Sequence, residues 1–78
     1  MNFAQKLIDL REERDQNQTE TANGIGTTQR KVSYWETGQT EPSLEDLKRI
    51  CQYYHVSADY LLGLTDDPHP YPPPRRGR

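Results

Sequence analysis

Apolar positions recur along the chain at intervals of three and four, in short runs that each end at a glycine or a polar turn. Phe3, Leu7 and Leu10 stand at the i, i+4, i+7 spacing of one buried helical stripe and predict a first helix from Phe3 to about Arg14, capped by Asn2. Asn17 with Glu20 three residues on makes a capping box that opens a second helix, running to about Gly24. Gly26 permits the positive φ of a tight turn. Thr28 can then cap a third helix in which Val32 and Trp35 face inward and Gln29, Arg30, Ser33 and Tyr34 face outward. Gly38 ends it, and a loop leads through Pro42 to Ser43, the cap of a fourth helix with Asp46 at the capping-box position, where Glu45 and Asp46 read as surface capping charges. That helix should reach about Tyr54 and bury Leu44, Leu47, Ile50, Cys51 and Tyr54. Ser57 caps a short fifth helix from Ala58 to Leu62, closed by Gly63. No strand alternation occurs, so the expected fold class is all-α with five helices.

From about Thr65 the composition changes to Asp, Pro, His, Tyr and Arg, and Pro72-Pro73-Pro74 cannot continue a helix. The organisation expected is one domain over residues 1–64 and a flexible Pro/Arg tail over 65–78, either a basic arm for phosphate or a minor groove, or a disordered end. With 31% hydrophobic residues in 78, the core must be small. No run approaches the roughly 20 apolar residues of a membrane span, and no signal-peptide layout opens the chain, so a soluble, cytoplasmic protein is expected. The single cysteine, Cys51, cannot form an internal disulfide and reads as a small core residue. His55 and His69 have no metal-ligand spacing around them, and no catalytic constellation or phosphate-cradling glycine loop is present. Neither an enzyme nor a cofactor or metal is expected.

Helices two and three, joined through Gly26, read as a helix-turn-helix, an arrangement that sets one helix against double-stranded DNA in the major groove. The charge balance complicates this. Formal net charge is -2, and three of the ten basic residues, Arg75, Arg76 and Arg78, lie after Pro74, leaving seven against twelve acidic residues before them. An acidic body opposes non-specific phosphate binding. The third helix itself nevertheless carries Arg30 and Lys31 against one acid, Glu36.

Taken in order, Leu10-Arg11-Glu12-Glu13, Asn17-Gln18, Ala22, Gly26-Thr27-Thr28-Gln29, Trp35-Glu36-Thr37-Gly38, Pro42-Ser43-Leu44-Glu45 and Val56 to Gly63 resemble the Cro/repressor-type, or XRE-like, helix-turn-helix proteins of phages and bacteria. The resemblance implies a DNA-binding regulator, a repressor bound as a homodimer to a palindromic operator. It implies base contacts from Thr28, Gln29, Arg30, Ser33 and Tyr34, with Gln29 suited to adenine, Arg30 to guanine and the Thr28 methyl to thymine. Phosphate contacts would come from Gln18, Lys31, Thr37 and Gln39, and Arg11 with Glu36 would form an internal ion pair. Dimer contacts would come from Tyr60, Leu61 and Leu64. Where the family usually has apolar side chains this chain has Gln16, Thr21 and Thr27, and Gly24 lies inside helix two, so that helix is expected to be the least stable. The acidic balance, together with Gln39 and Glu41 where basic residues are common, leaves an alternative: a protein-interaction module such as an antitoxin, with a protein partner and weak DNA reading.

Overall fold

The structure, a computed structural model, describes residues 2–70. Five helices follow one another: α1 (Phe3–Glu13), α2 (Gln18–Ile25), α3 (Gln29–Thr37), α4 (Leu44–Tyr54) and α5 (Ala58–Leu61), with no strand among the described residues. Each begins where a side-chain oxygen accepts the backbone N–H three residues on: Asn2, Asn17, Thr28, Ser43 and Ser57 are the five N-caps. At Asn17 the box is reciprocal, because the Glu20 carboxylate accepts the Asn17 backbone N–H at 2.9 Å. Gly26 and Gly38 close α2 and α3 in the left-handed region, with φ of 93° and 78°. His55 takes the same role after α4 at φ 58°.

The core is a single cluster of Leu7, Ala22, Ile25, Val32, Trp35, Ile50, Tyr54, Val56 and Leu61, with Phe3, Leu10, Leu47, Cys51, Tyr53 and Tyr60 packed at its margin. Ala22 stands buried in α2, which packs against α3. Two expectations for α4 fail. Leu44 is 86% exposed and Asp46 is buried. Leu44 shares a face with Leu47 and Cys51, but it stands at an edge that no other helix among the described residues covers. Cys51 is half-buried, and burial pushes its thiol pKa up. The fifth helix ends one residue early, at Leu61. None of the helices in the described chain is long and apolar enough to cross a membrane.

Two of the three positions expected to thin the core, Gln16 and Thr21, carry side-chain hydrogen bonds instead. The Gln16 Nε2 donates to Tyr53 Oη at 2.7 Å, and Thr21 Oγ1 lies 3.2 Å from both Gln16 Oε1 and Tyr54 Oη. The two tyrosine rings meet edge-on at 5.0 Å, with the Arg14 guanidinium 5.1 and 4.9 Å from their centroids. Thr21 is only 2% exposed, so its hydroxyl needs these partners. Gly24 belongs to the same cluster: a Cβ there would lie 2.3 Å from Tyr53 Cε1. Lys6 is buried too, its Nζ 4.3 Å over the Tyr60 ring while donating to the Tyr60 carbonyl.

The segment expected to be free from Thr65 is held at its beginning, where the buried Ser57 donates its backbone N–H to the Pro68 carbonyl at 3.0 Å. The rest of the expected tail, residues 71–78, lies outside the described residues.

Candidate nucleic-acid interface

The third helix is divided lengthwise. Val32, Trp35 and Glu36 are buried on one side, and Gln29, Arg30 and Lys31 are exposed on the other, with Ser33 and Tyr34 half-buried between them. Thr28 is exposed at the N-cap. Its side-chain oxygen accepts the Lys31 N–H at 3.2 Å, and its methyl takes no part in that bond. The nine residues of α3 fit within a major groove about 12 Å wide, which admits one helix.

The N-terminus of α2 joins this face through a chain of hydrogen bonds. Arg11 Nε donates to Glu36 Oε2 at 2.8 Å and Arg11 Nη2 to Glu36 Oε1 at 3.1 Å, a bidentate pair between α1 and α3. Arg11 Nη1 also reaches the Gln16 carbonyl at 2.9 Å. Hydrogen bonding to Glu36 is the main cause that raises the Arg11 pKa. The same Glu36 Oε1 accepts Gln18 Nε2 at 3.0 Å, and Gln18 Oε1 accepts Gln29 Nε2 at 2.6 Å. An acid that would otherwise repel phosphate is therefore neutralised behind the helix, where its side chain is 4% exposed.

Lys31 Nζ lies 3.9 Å from Asp46 Oδ2, and Arg49 Nη1 is 3.7 Å from Asp46 Oδ1. This link from α3 to α4 was not expected, since Asp46 reads in the sequence as a surface capping charge. Thr37 Oγ1 bonds back to the carbonyls of Ser33 and Tyr34, at 3.0 and 3.2 Å, and Gln39 is exposed just past Gly38. Of the three residues expected at a dimer contact, Leu64 is 73% exposed, Tyr60 is half-buried under Lys6, and Leu61 is fully buried. Leu61 thus fills the core of its own chain and has no surface to offer a second copy. Lys6 was missed: its interval from Phe3 and Leu10 puts it beside the apolar stripe, but nothing in the sequence shows that Tyr60 would receive it. No group of three or more His, Cys, Asp or Glu among the described residues could hold a metal ion.

A helix-turn-helix family model matches residues 7–61, from α1 to the end of α5. The chain belongs to the XRE-type helix-turn-helix family. This XRE-type chain is 43% identical over 64 residues to the cryptic phage CTXphi transcriptional repressor RstR of Vibrio cholerae, a match covering 82% of the chain and 58% of that relative. It is 35% identical over 68 residues to an uncharacterized HTH-type transcriptional regulator, YobD, of Bacillus subtilis (strain 168), covering 87% and 61%. The chain thus spans roughly three fifths of the length of these relatives. Among solved structures it superposes on the P22 c2 repressor in complex with synthetic operator 9T with a TM-score of 0.76 at 26% identity, covering 80% of this chain and 94% of that one. A transcriptional regulator from Listeria innocua gives a TM-score of 0.73 at 34% identity, covering 80% and 58%.

Proposed function

We propose that this protein is a sequence-specific transcriptional regulator that represses by occupying a palindromic operator as a homodimer. The observation that carries the reading is the outward face of α3. Gln29 and Arg30 stand exposed on one side of a helix whose other side is locked into the core, and the one acid of that helix is paired behind it. Such a helix enters the major groove with its first turn toward the base edges. Gln29 then meets adenine, Arg30 guanine and the Thr28 methyl thymine. Ser33 and Tyr34 follow one turn on, and Gln18, Lys31, Thr37 and Gln39 lie toward the phosphates. A phage repressor among the relatives and a repressor solved on its operator among the structures support the repressor sense.

The dimer would form across Leu64 and Tyr60 together with Leu44 and Leu62, which are 86% and 56% exposed and line one shallow hollow with Phe3 and Leu47. Two copies would place their α3 helices about 34 Å apart, one turn of DNA. Bound there, the protein would block polymerase sterically in the cytoplasm of a bacterium. Selection from a random duplex pool at a stated moderate salt concentration tests the reading, because phosphate binding weakens steeply with salt. An inverted repeat with half-sites one turn apart is the expected result. Folded protein that enriches no sequence at low salt overturns it and returns the weight to a protein partner, such as a toxin.

A further inference from the structure

We infer that Asp46 is a specificity-determining residue: it tethers the Lys31 ammonium on the α4 side of α3, where it meets a DNA phosphate only once α3 is seated in the groove. The phosphate contact of Lys31 then strengthens operator binding and lends little to binding elsewhere. The inference rests on the DNA-reading function proposed above.

Successive side chains on the first turn of α3 stand about 100° apart and so take different neighbours. Gln29 leans toward α2, where it donates to Gln18, and Arg30 is exposed. Lys31 leans toward α4, its Nζ 3.9 Å from Asp46 Oδ2. The two partners differ in freedom. The Asp46 side chain is 12% exposed, and its backbone N–H is held by Ser43 Oγ at 3.1 Å, so the carboxylate is fixed to the start of α4. The Lys31 side chain is 58% exposed on a flexible stem, and without Asp46 it would sweep the outer surface of the turn.

At 3.9 Å the contact is an ion pair and not a hydrogen bond, which leaves the three ammonium N–H groups available to a second anion. Arg49 Nη1 lies 3.7 Å from the other carboxylate oxygen, Oδ1. Two cations therefore share one acid, and the cluster keeps a positive charge that does not repel phosphate. Its place decides when phosphate is reached. A helix with its side chains is about 10–12 Å across and the major groove about 12 Å wide, so a group on the flank of a seated helix meets the groove wall, where the phosphates are. In a loose encounter the DNA faces the outer surface of α3, and a cation held back toward α4 stands away from it. Asp46 thus makes one phosphate contact conditional on the fit of the bases.

The test uses the whole chain with Asp46→Asn, Lys31→Ala, the two combined, and Glu45→Gln as a loss of the same charge one residue away, each checked for folding by thermal unfolding. Affinity is measured against salt on the selected operator and on a random duplex. Asp46→Asn should tighten random-duplex binding, steepen its salt dependence by up to about 0.9 in slope, the value of one phosphate contact, and lower the operator-to-random ratio by roughly threefold or more. Added to Lys31→Ala, Asp46→Asn should leave the ratio where Lys31→Ala puts it. An unchanged ratio in Asp46→Asn overturns the tether, as does an equal fall in the Lys31→Ala background or in Glu45→Gln, since either would mean that total charge and not Lys31 is responsible. If Asp46→Asn does not fold, Asp46→Ser decides. If the wild type selects no sequence, the regulator reading falls and the tether is judged on the random duplex alone. A steeper slope in Asp46→Asn that vanishes with Lys31→Ala then supports it, and equal slopes overturn it.

Discussion

Replacing Glu36 with Ala leaves Arg11, whose side chain is 18% exposed, without its carboxylate, and breaking a buried pair in this way costs about 3 kcal/mol or more. Against a typical total of about 5 to 15 kcal/mol, the fall in urea midpoint should be large. Arg30 belongs to the opposite side of the same helix. Arg30→Ala should leave that midpoint nearly unchanged, weaken operator binding by about 1 to 3 kcal/mol and relax the guanine preference, as competition between substituted duplexes would show. Burial, the largest influence on Tyr54, raises its pKa, with the Thr21 hydrogen bond working the other way. A raised folded pKa means stability is fully present below the ordinary tyrosine value of about 10 and is lost as pH rises beyond it. The urea midpoint should fall above that pH in the wild type, with a shallower fall in Tyr54→Phe. Residues of this kind were unevenly legible. The Arg11–Glu36 pair was expected through the family resemblance alone, whereas the burial of Lys6 depends on a carbonyl and a ring 54 residues away, which no local pattern encodes.

The N-cap is the element-scale signal that the sequence carries most openly. All five caps and both glycine closures of the helix-turn-helix stand at their expected positions, because each is decided by one side chain and the next three amides. Packing between helices was less visible. Gly24 looks like a plain weakness in α2, and Gly→Ala in an open helix stabilises by about 1 kcal/mol. Here the added methyl would strike the Tyr53 ring, which Gln16, Tyr54 and Arg14 hold in place. Gly24→Ala should therefore destabilise by roughly 1 kcal/mol or more. In a Tyr53→Ala background it should become neutral or stabilising, and a double-mutant cycle by urea unfolding would read the reversal. Periodicity likewise put Leu44 on the face of Leu47 and Cys51, yet it specifies which residues share a face and not whether anything covers them. The hydroxyl and amide cluster of Gln16, Thr21, Tyr53 and Tyr54 escaped for a related reason: polar residues read singly look like gaps, and only their meeting across α2 and α4 turns them into partners.

Taken whole, the chain is an acidic body with a locally basic third helix and three exposed leucines outside it. These are Leu44, Leu62 and Leu64, and substitution at such positions costs a single chain little. Leu44→Glu with Leu64→Glu should leave thermal unfolding of the monomer within a few degrees of the wild type while converting dimer to monomer in sedimentation velocity. An unchanged sedimentation coefficient, or a monomer already in the wild type at high concentration, would remove this face from the dimer. The excess of acidic over basic residues before Pro74 leaves few cations for phosphate, so sequence-independent binding should be weak at moderate salt. Selectivity would then come from bases more than from the backbone. Trp35 offers a means of following all of this. It is the only tryptophan in the chain, 2% exposed, and it stands on the inner side of the helix whose outer side would meet DNA. Its fluorescence should consequently report loss of the core and remain indifferent to quenching by bases, giving an internal optical signal that separates a variant that has unfolded from one that has only stopped reading.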